Sequence, residues 1–136
     1  PVHYLYSSLR LTYDGLPPIV NARGSINLLK QLGQPLNQRL TPDGYPLSQS
    51  DWAGSGQMTA RFEIASTIAG APRVFYREKP DEQPPNVPRP PHLLKANAGN
   101  GLFSTLSPRT REAIEQAKST PVANTYLLAS PEFMRR

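Results

Sequence analysis

A chain of 136 residues, 38% of them hydrophobic, has the length and composition of one globular domain with its own core. It has no cysteine, which excludes a disulfide framework and a thiolate metal site, and no run near about 18 apolar residues, which excludes a membrane-spanning helix. The net charge of +5 is dispersed, with Arg135-Arg136 the one adjacent basic pair, so the clustered basic face of a nucleic-acid binder is not expected.

Residues 1–13 are expected to form the first helix. Pro1 suits a first-turn position, and Val2, Leu5, Leu9 and Tyr13 recur at three- and four-residue spacing with Tyr6 beside them. Asp14-Gly15 ends it, and Leu16-Pro17-Pro18-Ile19 reads as extended. A second helix starts at a cap supplied by Asn21 or Ser25 and runs through Leu32, with Ile26, Leu29 and Leu32 as its apolar face. Gly33 stands where a helix-ending glycine belongs, and Pro35 blocks continuation.

Between Gly33 and Trp52 lies a long loop with its own turn chemistry. In Thr41-Pro42-Asp43-Gly44 the proline presets φ, the aspartate bonds its own backbone, and the glycine accepts a positive φ. Tyr45, Leu47 and Trp52 are large apolar bodies without strand alternation, so the loop is expected to pack across the core as a plug. The third helix covers at least 57–69. Ser50-Asp51 or Ser55 caps it, Met58, Phe62, Ala65 and Ile68 or Ala69 form its buried stripe, and Gly70 and Pro72 end it.

Residues 70–106 are expected to be a largely irregular, Pro-rich connection. Its Arg73–Arg77 stretch reads either as a short helical extension or as an extended piece burying Phe75 and Tyr76. Residues 80–91 carry too many prolines for a helix or a central strand and read as mobile linker. Ser107-Pro108 opens a fourth helix with a serine cap and proline at the first helical position. Leu106 staples back onto it, and Ala113, Ile114 and Ala117 are its modest apolar face. Thr120-Pro121 repeats the signal for a fifth helix over 121–129, carrying Val122, Tyr126 and Leu127, and Ser130-Pro131 starts a final turn that buries Phe133. The fold class is therefore all-α: about five helices in an irregular bundle with long Pro/Gly-rich loops, 1–136 forming one helical domain.

No catalytic set stands out. His3 and His92 have no neighbouring ligands to complete a metal site, and no cofactor motif is present. Gly54-Ser55-Gly56 precedes a helix, where free N–H groups hold an anion, but no strand precedes it and the dinucleotide fingerprint is not met; a flexible turn is the simpler reading. The candidate binding residues are Asp43, Tyr45 and Trp52 on the loop with Ser55 and Arg61 at the start of the third helix, since concave sites combine aromatic walls with a few polar groups. Asp43 and Asp51 are the one carboxylate pair on the loop, although turn and cap duties already account for both.

Gly-Gln-Pro-Leu at 33–36, Thr-Pro-Asp-Gly-Tyr-Pro at 41–46, Trp52 and Thr-Ala-Arg-Phe-Glu-Ile-Ala at 59–65 resemble the C-terminal part of a bacterial family of unknown function, DUF eighteen-hundred (DUF1800). The opening decapeptide at 1–10 and the closing one at 127–136 resemble the corresponding ends of that part. The resemblance implies a longer parent polypeptide, of which this chain is a C-terminal piece, and a partner from a second uncharacterised family, DUF fifteen-oh-one. It also implies that such proteins are often exported, so a cytoplasmic and an exported location both stay open. It implies no chemistry. Three readings follow: a structural or interaction segment, an enzyme fragment with a site at the 33–52 loop, and an anion or nucleic-acid binder. The first is preferred, since nucleic acid is disfavoured by the dispersed charge and no reactive set supports an enzyme.

Overall fold

A computed structural model describes residues 1–40, 42–46, 48–52, 54–70, 73–77, 79, 81, 89–99 and 101–134, without the side chains of 49, 51, 73, 74 and 102. Most of the 80–91 segment read as mobile linker thus lies outside the described residues. The described chain is helical, with no strand among the described residues. Its helices are α1 (Val2–Tyr13), α2 (Ala22–Gln31), α3 (Ser55–Ala69), α4 (Leu93–Ala96), α5 (Gly101–Ser104), α6 (Pro108–Glu115), α7 (Thr120–Leu128) and α8 (Pro131–Met134). Three-residue-per-turn helices at Gln49–Trp52 and Arg73–Tyr76 complete the set. The five longest helices are the five expected from the sequence; α4 and α5 are single turns inside the 70–106 stretch.

Helix α1 buries Leu5 and Tyr13 of its expected face and packs Leu9 against the core, but its inward side extends to Tyr4, Ser8 and Thr12 and leaves Val2 out. Tyr4, Leu5, Ser8, Thr12 and Tyr13 face inward, while Val2 and Tyr6 are 42% and 62% exposed. Two phenols account for the difference. Tyr4 Oη donates to the carbonyls of Arg61 at 3.1 Å and Leu128 at 3.3 Å, and Tyr13 Oη donates to the Ile68 carbonyl at 2.8 Å. A tyrosine ring buries more area than a valine or leucine side chain and brings a polar tip that needs a partner. The partners sit on α3 and α7, so α1 turns its tyrosines toward them.

Asn21 caps α2 as expected, its Oδ1 accepting from the Arg23 N–H at 2.9 Å. Its Nδ2 also donates to the Arg77 carbonyl at 2.7 Å, and the N–H groups of Val20 and Asn21 both donate to the Phe75 carbonyl at 3.0 Å. The Arg73–Tyr76 turn is thereby tied to the start of α2. Phe75 and Tyr76 are buried there, each edge-on to Tyr13 with centroids 5.7 and 6.2 Å away. At the other end Gly33 has φ +77°, its N–H reaches the Lys30 carbonyl and the Gln34 N–H reaches the Leu29 carbonyl. This is the paired helix-ending pattern that a left-handed glycine makes possible. The inward face of α2 is Leu28, Leu29 and Leu32; Ile26 is on the outside.

Helix α3 starts one residue after Gly54, and Ser55 is its first residue, not its cap. Ile64, Ala65, Ile68 and Ala69 are buried, but Met58 and Phe62 of the expected stripe are 41% and 46% exposed. The stripe is continuous in sequence; only its C-terminal half is covered. Ser107 caps α6, its Oγ accepting the Thr110 N–H at 3.3 Å. The carboxylate that completes the cap comes from α8. Glu132 Oε1 accepts from the Ser107 N–H at 3.2 Å, and both its oxygens accept from the Thr110 hydroxyl at 3.1 Å. Hydrogen bonding from the Ser107 side chain foremost, with the backbone N–H and Thr110 bonds adding to it, holds the Glu132 carboxyl below its usual range. The cap of α7 is Ser119, without a side-chain bond, and Thr120 is already helical. Of its expected apolar residues Leu127 is buried, whereas Val122 and Tyr126 are 36% and 39% exposed. Helix α7 packs against α3, α6, α4 and α8, and one core cluster joins these elements.

Two outcomes follow. Ser107→Ala should lower the denaturant midpoint by about 1 kcal/mol of stability, while Thr120→Ala, at a position that caps nothing, should leave it nearly unchanged. Burial pushes the Tyr4 phenol up to about 12 from 10.0 and raises that of Tyr13 as well. A raised folded-state value means that the neutral phenol favours the fold below pH 10 and that this stability drains away as pH rises toward 12. Alkaline unfolding followed by circular dichroism should show that fall, and Tyr4→Phe should shrink it.

Candidate functional site

The loop between α2 and α3 closes on itself. Tyr45 Oη donates to the Pro35 carbonyl at 2.7 Å, and Trp52 Nε1 donates to the Pro46 carbonyl at 2.9 Å. The two rings lie 6.4 Å apart, tilted by 48°, and the Arg39 guanidinium sits 5.6 Å from the Tyr45 centroid. Gly44 takes φ +75°, as its turn requires. A Cβ built on Gly33 comes 3.6 Å from Trp52 Cζ3 and 3.1 Å from Gln57 Nε2, so the indole lies over the end of α2 and beside the first turns of α3. Both rings are half-buried and neither belongs to the core cluster. The expected plug across the core is thus a cover over one helix junction. Proline carbonyls, which lack a neighbouring N–H of their own residue to pair within a ladder, hold the ring tips at the surface.

The other candidate residues go elsewhere. Asp43 is exposed at the turn and Ser55 is exposed at the first position of α3. Arg61 lies on the Tyr4 ring, 5.6 Å from its centroid. The Asp51 side chain lies outside the described residues. Among the described residues no three His, Cys, Asp or Glu side chains gather as metal ligands. Of the five candidates, Tyr45 and Trp52 form one cluster, and that cluster is built to hold a loop.

Two surfaces that sequence reasoning missed are larger. One is a cleft of about 800 Å³ between α4, α5, α6 and the start of α7. Leu94, Phe103 and Ile114 contribute its apolar lining, and His92, Lys95 and Arg111 its polar groups. Its walls are fixed by two side chains. Asn124, buried in α7, accepts from the Leu93 N–H at 2.9 Å and donates to the Pro91 carbonyl at 2.9 Å. Arg111 donates from Nη2 to the Phe103 carbonyl at 2.6 Å and from Nε to the Leu106 carbonyl at 3.3 Å. The other surface is a groove of about 400 Å³ where Phe62 of α3 and Tyr126 of α7 stand together with Ala113, Ala129 and Pro131. The available signal was Asn124 within an otherwise apolar helix and the second apolar side of that helix, Val122 with Tyr126.

The model of one protein family, described as protein of unknown function (DUF1800), matches residues 1–135. The chain belongs to the DUF1800 family. No curated protein and no solved structure matches it. Of the motifs on which the resemblance rested in this DUF1800 chain, 33–36, 41–46, Trp52 and 59–65 fall just past the C-terminal end of α2, on the self-closing loop and in the middle of α3, while 1–10 lies on α1 and the described part of 127–136 on the end of α7 and α8. The former make up the junction that Trp52 covers. Among the described residues no helix is long and apolar enough to cross a membrane.

The self-closing loop fixes an order of stability effects. Trp52→Ala removes a half-buried ring and one hydrogen bond and should cost roughly 1–2 kcal/mol, below the 3–5 of a fully buried tryptophan. Asp43→Asn should cost less than about 0.5 kcal/mol, because Asn supports the same turn and the site is exposed. Urea midpoints of the two variants check the order.

Proposed function

We propose that this DUF1800 chain is a structural and interaction segment, the C-terminal part of a longer family polypeptide, and that its outer α3–α7 face is covered by apolar helices from the preceding part. The observation that carries this reading is the second apolar side of α7. Ala123, Leu127 and Leu128 point into the core, while Val122 and Tyr126, one turn apart, point out, and Tyr126 shares a groove with Phe62, itself one turn from Met58. A helix apolar on both sides has the composition of a buried helix. Large exposed apolar patches mark interaction sites. Residues 1–136 then act as one helical domain, an irregular bundle with 70–106 as a largely irregular connection whose Phe75, Leu93 and Phe103 enter the core. A DUF fifteen-oh-one-like partner on the same face is the competing occupant.

In this chain alone, Phe62→Glu and Tyr126→Glu should each cost under about 1 kcal/mol, because both side chains are largely in water. In a longer family polypeptide the same substitutions bury an unpaired charge and should cost several kcal/mol. Thermal midpoints of both forms are the measurement. Equal, small effects in both would remove the face from the preceding helices, and a loss confined to a mixture with the partner protein would assign it there.

A further inference from the structure

We propose that the cleft between α4, α5, α6 and α7 is a binding site for a small organic carboxylate with a short apolar body. This inference is independent of the covered α3–α7 face. Its volume of about 800 Å³ falls in the range of small-molecule sites. The chemistry of the lining is two-sided. Leu94, Phe103 and Ile114 offer apolar contact, and Lys95 and Arg111 stand at the polar side with Glu115 as the one carboxylate among the described lining residues.

The charge balance selects the ligand. Lys95 and Arg111 against Glu115 leave one net positive charge, which matches a monoanion and leaves half of a phosphate dianion uncompensated. Arg111 spends Nε and one Nη2 hydrogen on the Leu106 and Phe103 carbonyls, so three of its five donors are left for an incoming oxygen pair. The first turn of α7 opens at the same cleft through Ser119 and Thr120, with no side chain capping it and no acidic residue in it, which adds a weak positive field.

The cleft is preorganised. Asn124 is 1% exposed and spends both ends of its amide on the Pro91–Leu93 backbone, which sets where His92, Leu94 and Lys95 stand. Arg111 does the same for the α5–α6 connection from the opposite wall. A pocket whose two walls are each held by a buried or tied polar side chain loses little order when a ligand enters.

The test is a titration of the isotope-labelled chain with sodium hexanoate, followed by amide shifts in nuclear magnetic resonance. 1-Hexanol supplies the same body without charge, and inorganic phosphate supplies charge without a body. Hexanoate should give saturable shifts at Leu93–Ala96, Phe103–Ser104, Thr120 and Val122; hexanol should bind about tenfold more weakly, as the loss of a charge-assisted contact implies, and phosphate about tenfold more weakly, because it lacks the apolar body. Lys95 is exposed, so Lys95→Met should keep the fold, seen in unchanged shifts at α1 and α2, while weakening hexanoate severalfold; Lys95→Arg should restore it. Equal binding of hexanol, equal binding of phosphate, no saturable shifts in the cleft, or full affinity in Lys95→Met would each overturn the assignment.

Discussion

Helix α7 has hardly any polar side, and an α-helix without one has to be covered from several directions at once. The rest of the fold follows from that demand. The two polar residues in its middle are turned inward and used: Asn124 fastens the Pro91–Leu93 backbone, and the Thr125 hydroxyl returns to the Pro121 carbonyl at 2.8 Å. Helices α3, α6, α4 and α8 all pack against it, and the Tyr4 phenol reaches its last carbonyl. Polar groups inside an apolar layer are stable when they are paired, and Asn124 pairs its amide oxygen and one amide N–H by holding a segment that has no long helix of its own.

Most helix ends were legible in the sequence, and helix faces were legible only in part. Ends depend on residues within a few positions: Asn21 and Ser107 carry their own caps, and Gly33 supplies the left-handed turn wherever the helix lies. Faces are chosen by what arrives from elsewhere. In α1 Val2 stays outside and Tyr4, Ser8 and Thr12 join Leu5 and Tyr13 inside, because the acceptors for the tyrosines stand on α3 and α7, far along the chain. Thr120 failed as a cap although Thr-Pro is a fair start signal, since the chain enters the helix one residue earlier, at Ser119.

The same division holds for the candidate sites. The turn at Asp43-Gly44 was legible because it is local; the destination of Tyr45 and Trp52 was not, because it rests on the carbonyls of Pro35 and Pro46 and on the bare Cα of Gly33. The cleft draws on residues from 92 to 120 that share no spacing, and the residue that fixes one wall, Asn124, lines neither His92 nor Lys95 in sequence. The α6 cap is divided likewise. A glutamate three residues into the helix is the local signal for a capping box, and here Thr110 holds that position while Glu132 supplies the carboxylate.

The Tyr4 hydroxyl joins residues 124 positions apart when it meets the Leu128 carbonyl. The bond that ties α1 to α7 therefore cannot form until nearly the whole chain between them has condensed. Helical proteins usually fold fast because their contacts are local. Here α1 rests on α3 through bonds 55 and 57 residues apart and on α7 through one 124 apart, so its docking carries more loop-closure entropy than that of neighbouring helices. The pairs α6–α7 and α7–α8 join neighbours in sequence, whereas the tie from α1 to α7 closes the longest loop in the described fold.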